Sequence, residues 1–129
     1  MIGLISAQAK SMQGLFKTYC IIGDPIDHSL SPAMHNAAFN SLGLNSIYIA
    51  FRVPKGELEV SLGSLRATNI SGFNVTIPHK VGIIPYIDEL DPSAKKANAV
   101  NTVHCIEGTF KGYNTDVEGF IEQIGRAHV

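Results

Sequence analysis

The sequence predicts an α/β domain in which helices cover a largely parallel β-sheet. Segments with the period of a strand alternate along the chain with segments whose apolar residues recur at helical spacing. Strands are predicted at 18–23, at 46–53 and from Asn74 onward, and the intervening segments 31–42 and 55–69 are predicted helices. Because this alternation is typical of parallel crossover units, we expect the three strands to share one sheet with helices over it.

The segment 72–80, Gly-Phe-Asn-Val-Thr-Ile-Pro-His-Lys, is the centre of the predicted site. Polar and apolar residues alternate in it, so Asn74 and Thr76 share one face of the predicted strand. Pro78 cannot donate to a ladder, so we expect the strand to end there and to present Lys80 just beyond its tip. Ligands of open α/β sheets usually bind at strand ends, and an amide, a hydroxyl and an ammonium suit an oxygen-rich small molecule. An ordinary strand followed by a surface lysine is the open alternative.

Length, charge and composition limit the classes of protein. A chain of 129 residues fits one domain with its own core, and a net charge of −1 gives no reason to expect nucleic acid or an anionic membrane as a partner. No apolar run approaches a membrane span and the start lacks a charged signal region, so we expect a cytoplasmic protein. Cys20 and Cys105 are interpreted as buried free thiols, although the sequence leaves a disulfide open. The five histidines lack zinc-type spacing, so no metal site is expected.

The first predicted helix begins with a candidate anion site. Residues 1–17 are weakly patterned and are left unassigned, as a leader or linker. Ser31 is a suitable N-cap and Pro32 suits the first helical position, so free N–H groups and the hydroxyls of Ser29 and Ser31 favour a carboxylate or phosphate. On local sequence alone, the simpler interpretation that Ser31 only caps the helix and Ser29 faces water is favoured.

The second half of the chain continues the pattern and adds antiparallel pairing. Asp91 and Pro92 repeat the cap-plus-proline signal of a short helix. Segments 99–106 and 109–115 predict a hairpin with a tight turn at Glu107-Gly108. A final helix is predicted after Asp116 as its cap, with apolar residues at Val117, Phe120, Ile121 and Ile124. The last residues, 125–129, are interpreted as a truncated tail, and no Gly-x-Gly-x-x-Gly loop occurs in the sequence.

Five separated motifs occur in the chain in the following order: Gly-Asp-Pro-Ile-Asp-His-Ser-Leu-Ser-Pro at 23–32, His35-Asn36, the segment 72–80, Ala-Val-Asn-Thr at 99–102 and Gly-Tyr-Asn-Thr-Asp at 112–116. Together they resemble the N-terminal, substrate-binding half of the shikimate dehydrogenase family. The resemblance covers 18–124 and implies a three-layer αβα sandwich with a mixed, mainly parallel sheet. It also implies that a C-terminal Rossmann domain, which carries NADP in the family, is absent from this chain. The implied reaction is reduction of 3-dehydroshikimate to shikimate, in the pathway to chorismate and the aromatic amino acids.

The resemblance also implies roles for seven residues. Ser29 and Ser31 resemble the serines that hold the substrate carboxylate, which reverses the local preference for a simple cap. Lys80 and Asp116 resemble the catalytic pair. The residues that resemble pocket-lining groups are Asn74, Thr76, whose counterpart bonds a ring hydroxyl, and Asn101, whose counterpart bonds the substrate's hydroxyls.

One position departs from the family pattern. Where the family usually has glycine before Ala-Val-Asn, this chain has Asn98. Asparagine tolerates left-handed backbone better than most residues do, so we expect the turn before Asn101 to be retained.

Two functional hypotheses of different class remain at this stage. In the first, the chain is the substrate-binding and catalytic half of an NADP-dependent oxidoreductase and is inactive by itself. In the second, it is a stand-alone binding module or relic for shikimate-like or quinate-like acids without redox activity. Retention of both Lys80 and Asp116 favours the first, since a binder has no need of the pair. A homodimer is an open possibility in either case.

Overall fold

The computed structural model describes residues 16–116, which form one six-stranded sheet with helices on both faces. The strands are β1 (Lys17–Gly23), β2 (Ser46–Arg52), β3 (Gly72–Val75), β4 (Glu89–Leu90), β5 (Thr102–Ile106) and β6 (Thr109–Tyr113). The helices are α1 (Ser31–Ser41), α2 (Leu58–Ala67), α3 (His79–Gly82) and α4 (Pro92–Ala97), with a 3-10 turn at Ile84–Tyr86. Residues 1–15 and 117–129, including the predicted final helix after Asp116, lie outside the described part.

The sheet is mixed and mainly parallel, as expected. Its order is β2-β1-β3-β5-β6-β4, and β1 pairs in parallel with both β2 and β3. Strand β5 runs antiparallel to β3 and to β6, whereas β4 runs parallel to β6. The hairpin between β5 and β6 confirms the predicted tight turn, in which Glu107 and Gly108 have φ values of 49° and 79°. Two successive left-handed residues match the right-handed twist of the strands that they join.

Alternation along the strands separates two apolar layers and makes the fold three-layered. On one face, Cys20 and Ile22 of β1 pack with Phe73 and Val75 of β3 and with the leucines of α2. On the other face, a smaller cluster of Ile21, Ile26 and Tyr48 packs against Phe39 of α1. Because successive strand residues point to opposite faces, a strand buried on both sides reads as a continuous apolar run, which is the sequence signature of β1.

The structure corrects several element boundaries. Helix α2 begins at Leu58 rather than at Lys55, because a turn containing Gly56, at φ 99°, precedes it. Strand β3 ends at Val75, before Pro78, because Thr76 starts a turn by accepting a bond from the His79 N–H. Strand β4 is not predicted, since two residues are too short to show periodicity.

The start of α1 differs from the predicted cap. Ser31 is the first helical residue, the N-cap position belongs to Leu30, and no side chain caps the helix. The hydroxyl of Ser29 instead accepts a hydrogen bond of 3.3 Å from the Ser31 N–H. The Ser31 hydroxyl is therefore not used as a helix cap.

Asn98 supports the turn before Asn101 as predicted. It ends α4 with φ 51° and ψ 40°, in the left-handed region that asparagine tolerates. At the other end of α4 the predicted cap is confirmed, because the Asp91 carboxylate accepts from the Ser93 N–H at 2.9 Å.

Candidate functional site

Sheet topology places all of the predicted site residues at one end of the strands. The C-terminal ends of the parallel strands β1 and β3 lie there, followed by Ser29 and Ser31 after β1 and by Thr76 and Lys80 after β3. Since β5 is antiparallel to β3, the first residue of β5 lies at the same end of the sheet, and Asn101 directly precedes it. Strand β6 is antiparallel to β5, so its last residue lies at this end as well. This is where open α/β sheets bind ligands.

Lys80 and Asp116 are brought together as predicted, although they are 36 residues apart in the sequence. Lys80 Nζ lies 3.4 Å from Asp116 Oδ2, and the two side chains are 37% and 64% exposed. An ion pair this exposed contributes little to folding stability. Both groups are therefore reachable by a ligand, with the ammonium already next to a carboxylate that orients it.

The backbone around the pair is held by neighbouring segments. Lys80 lies in the short helix α3, and its carbonyl accepts a 2.7 Å bond from the Val100 N–H. The preceding His79 is buried, and its Nε2 lies 2.6 Å from the Val53 carbonyl oxygen. The position of Lys80 thus depends on the loop after β2 and on the segment that contains Asn101.

Asp116 is not a helix cap, which corrects the sequence-based expectation. Helical backbone begins at Thr115, and the Asp116 N–H donates to Asn114 Oδ1 at 3.1 Å. Asn114 is 5% exposed, and its own N–H donates to Ser93 Oγ at 3.0 Å. Because Asn114 supplies the capping acceptor, the carboxylate of Asp116 is available to Lys80.

A cleft of about 370 Å³ contains the residues that were predicted to hold a carboxylate and a ring hydroxyl. Ser29, Ser31 and Thr76 line it together with His28, Ile21, Pro25, Ile26 and Ile77. Its polar groups are the hydroxyls and the imidazole, and its walls are aliphatic. Hydroxyl donors at the start of a helix are suited to bind an anionic group. His28 is an addition that local sequence did not single out as a binding residue, although it lies in the first motif.

Asn74 and Asn101 form one amide network rather than two separate contacts. Asn74 Nδ2 donates to the Asn101 carbonyl at 3.3 Å and to Thr102 Oγ1 at 3.2 Å. Asn101 is buried, and its Oδ1 accepts from the Thr115 N–H at 3.0 Å and from Thr102 Oγ1 at 2.9 Å. Its Nδ2 donates to Thr115 Oγ1 at 3.1 Å. The network therefore connects β3 to the residue before Asp116.

Tyr48 is a part of this region that sequence reasoning missed. Its hydroxyl donates to Asn74 Oδ1 at 2.6 Å, and its side chain is 4% exposed. Burial raises the pKa of the phenol to about 12, with Cys20 adding to the shift and the Ser31 hydroxyl opposing it. The phenol therefore stays protonated at neutral pH and acts as a hydrogen-bond donor. The alternation in 46–53 places Tyr48 on one face of a strand. Its partner, Asn74, is 26 residues away, so no local sequence pattern indicates this contact.

Other features of the described part lie away from the candidate residues. A larger, mostly apolar cleft of about 450 Å³ between β1, β2 and α2 contains none of the seven. Within residues 16–116 there is no group of three or more histidine, cysteine or acidic side chains placed to hold a metal ion. Of the helices in that range, none has the length and apolar character needed to cross a bilayer. Both cysteines are free, and only Cys20 is fully buried.

Comparison with known proteins identifies one family. Residues 21–103 match the sequence model of the shikimate dehydrogenase substrate binding domain. The shikimate dehydrogenase (NADP(+)) of Nitrosopumilus maritimus is 50% identical over 113 residues, which are 88% of this chain and 41% of that protein. The chain thus spans about two fifths of the length of this relative.

Solved structures agree with the sequence comparison. Shikimate 5-dehydrogenase from Listeria monocytogenes, determined in complex with shikimate and NAD, matches with a TM-score of 0.83 and 41% identity, over 90% of this chain and 40% of that one. The ligand-free 5-ketofructose reductase of a Gluconobacter strain matches with a TM-score of 0.81 and 30% identity, over 85% of this chain and 40% of that one. The same fold thus occurs in oxidoreductases that are named for different substrates.

Proposed function

The chain belongs to the shikimate dehydrogenase family through its substrate-binding domain, and from this premise we propose that it binds shikimate and 3-dehydroshikimate. In this proposal it is the substrate-binding and catalytic half of an NADP-dependent enzyme that reduces 3-dehydroshikimate to shikimate. The domain is proposed to span 18–124, with 1–17 as a leader or linker and 125–129 as a tail.

The observation that carries the proposal is the Lys80–Asp116 pair at 3.4 Å. It lies at the same end of the sheet as Ser29, Ser31 and Thr76, so a reacting group and the hydroxyl-lined cleft share one side of the fold. A protein that only bound the acid would need the cleft but not an oriented ammonium. The pair therefore favours the enzyme over the binding module.

Each candidate residue receives a role that its chemistry supports. Ser29 and Ser31 offer hydroxyl donors to the substrate carboxylate, which does not react and serves to orient the ring. Thr76 and the Asn74–Asn101 network face the ring hydroxyls in this proposal. Asn74 and Asn101 are held in place by hydrogen bonds near the strand ends.

Lys80 acts on the ketone oxygen. As the carbonyl carbon is reduced, negative charge develops on the oxygen, and an ammonium within hydrogen-bonding reach stabilises that charge and then donates its proton. In the reverse direction, neutral Lys80 accepts the proton of the hydroxyl group. Asp116 holds Nζ in position through the ion pair.

NADP, when bound, supplies the hydride in the proposed reaction, but the residues of this chain do not fit it. The sequence has no Gly-x-Gly-x-x-Gly loop to approach a pyrophosphate. We therefore assign none of its residues to the cofactor.

Titration of the 129-residue chain with shikimate, followed by amide NMR shifts and calorimetry, tests the proposal. We expect saturable binding with shifts at Ser29, Thr76, Lys80 and Asn101. Ser29→Ala is expected to weaken binding by about tenfold, because a hydrogen bond to a charged group is lost. Ser46→Ala is the matched control, since it removes a hydroxyl at the start of β2, at the opposite end of the parallel strands. A folded chain that shows no shifts at millimolar shikimate would overturn the proposal.

The ketose reductase among the structural neighbours suggests a second ligand for the same titration. A sugar ketone such as 5-ketofructose has no carboxylate to meet the hydroxyls of Ser29 and Ser31. We expect shikimate to bind more tightly for this reason. Tighter binding of the uncharged ketose would reassign the substrate class.

We also propose a cytoplasmic location and a homodimer for the protein. Two free cysteines are consistent with a reducing compartment. At one side of the described sheet, β2 is an edge strand with Ile47 and Phe51 exposed, which favours pairing with a second copy. Sedimentation of the purified chain tests the dimer, and a monomer at high concentration would contradict it.

A further inference from the structure

Tyr48 is held by three sets of contacts, to its backbone, its ring and its hydroxyl. The side chain of Asn36 brackets its backbone, with Nδ2 donating to the Tyr48 carbonyl at 2.9 Å and Oδ1 accepting from its N–H at 2.8 Å. The imidazole of His35 stacks on the phenol ring with a centroid distance of 4.3 Å and an interplanar angle of 12°. The third contact is the 2.6 Å bond from the hydroxyl to Asn74. The His35-Asn36 motif thus has a structural purpose, which is to fix Tyr48.

The phenol reaches its partner across an intervening strand. Tyr48 on β2 is in register with Tyr19 of β1, whereas Asn74 on β3 is in register with Ile21 of β1. The long, rigid side chain therefore crosses β1 diagonally on the face that α1 covers. Ser31 of α1 is also close enough to oppose the upward shift of the phenol's pKa.

The hydrogen bonds of the Asn74 side chain determine which of its donor and acceptor positions remain available to a ligand. An asparagine side chain has two donor hydrogens on Nδ2 and two acceptor positions on Oδ1. The Asn101 carbonyl and Thr102 Oγ1 take both donors, and the Tyr48 hydroxyl takes one acceptor position. The remaining capacity is the second acceptor position of Oδ1.

We infer that Tyr48 is a positioning residue that fixes the Asn74 carboxamide, so that Asn74 meets a ligand hydroxyl as an acceptor and not as a donor. The inference rests on the proposed function for the identity of the ligand. The orientation of Asn74 is a property of the unliganded chain and does not depend on the proposed function. Tyr48 itself makes no contact with the substrate in this scheme and acts through Asn74.

The test compares Tyr48→Phe with Tyr19→Phe in the 129-residue chain. Tyr19 lies on the same sheet face, and its hydroxyl has no hydrogen-bond partner among residues 16–116, so its loss is the matched control. The first readout is the side-chain amide resonances of Asn74. We expect Tyr48→Phe to shift them and to speed their hydrogen exchange, and Tyr19→Phe to leave them unchanged. Unchanged Asn74 resonances in folded Tyr48→Phe would overturn the inference, whether or not shikimate binds.

The second readout is a double-mutant cycle on shikimate binding. Tyr48→Phe is expected to raise Kd by about tenfold, and the double variant with Asn74→Ala is expected to bind no more weakly than Asn74→Ala alone. If the losses of the two single variants multiply in the double variant, Tyr48 acts independently of Asn74 and the inference is overturned.

If the wild-type chain fails to bind shikimate, the proposed function is wrong, and the Asn74 resonances still decide the role of Tyr48. If Tyr48→Phe does not fold, Asn36→Ala, which frees the Tyr48 backbone, is read by the same resonances with the same two outcomes.

Discussion

The backbone N–H of Asp116 donates to the side-chain oxygen of Asn114 at 3.1 Å, two residues earlier in the chain. Asn114 thereby takes the capping role at the start of the helical backbone, and the Asp116 carboxylate is available to Lys80. Asparagine is among the preferred capping residues because its oxygen satisfies a free N–H group. The arrangement separates the structural acceptor from the proposed catalytic carboxylate.

Replacement of Asn114 by Ala is expected to lower the free energy of unfolding by about 1–2 kcal/mol, as a helix cap and a buried hydrogen-bonding group are lost. Urea denaturation measures this loss. Asn114→Ser keeps an uncharged capping acceptor at the same place and is expected to retain more of the stability than Asn114→Ala. Equal losses for the two variants would contradict a capping role.

In a full-length dehydrogenase that contains this domain, Lys80→Ala and Ser29→Ala are expected to fail in different ways. Lys80→Ala removes the proton donor and should lower kcat by about a hundredfold or more with a smaller change in KM. Ser29→Ala removes a contact made equally in ground and transition states and should mainly raise KM. Steady-state kinetics separates the two, and the reverse pattern would refute the assigned roles.

Gly23→Ala is expected to disturb the site through packing. A Cβ at this position would overlap Thr76 Cγ2 and would lie 2.8 Å from the Ile77 carbonyl oxygen, which is backbone and hard to move. We expect a loss of about 1–3 kcal/mol in thermal or urea denaturation, together with weaker shikimate binding. Gly63→Ala in α2 is the control, because a methyl group added there would meet no neighbouring residue within 4 Å and alanine favours helix. If Gly23→Ala leaves the free energy of unfolding unchanged, the end of β1 and the segment after β3 are not packed this closely.

Asp88 is expected to make part of the folding stability acid-sensitive. Its carboxylate accepts a 2.7 Å bond from the Phe110 N–H, and this bond, with Arg66 nearby, lowers the pKa of Asp88. Since the folded-state pKa is depressed, the contribution is present above the unfolded value of about 3.9 and is lost as pH falls through the folded value. Asp88→Asn should therefore flatten the decline in unfolding free energy at acidic pH. Parallel curves for wild type and variant would contradict this linkage.

The two thiols are expected to resist alkylation to different degrees. Burial raises the pKa of Cys20 to about 12 and that of Cys105 to about 11, so both are protonated at neutral pH. Because the thiolate is the reactive form and Cys20 is 0% exposed, we expect Cys105 to react slowly with iodoacetamide and Cys20 only after opening of the fold. Mass spectrometry of labelled peptides measures both rates. In denaturant the two should react alike, and equal rates in the native chain would contradict the burial of Cys20.

Local signals predicted most of the fold because they depend on near neighbours. The apolar run of β1, the Asp91-Pro92 start of α4, the Glu107-Gly108 turn and the left-handed Asn98 are each confirmed. Strand β4 was missed because two residues show no period, and the start of α2 was placed too early because a turn containing Gly56 precedes Leu58.

The sequence by itself determined the α/β class, the family and the seven candidate residues, because strand periods, turn residues and ordered motifs are written in consecutive positions. Only the tertiary structure showed that Tyr48 meets Asn74 and that Asn114, rather than Asp116, is the cap. The physical reason is that Tyr48 and Asn74 lie on different strands, whereas Asn114 and Asp116 lie two residues apart and both could supply a capping oxygen. Hydrogen bonds of this kind depend on strand order and register, which no local pattern specifies.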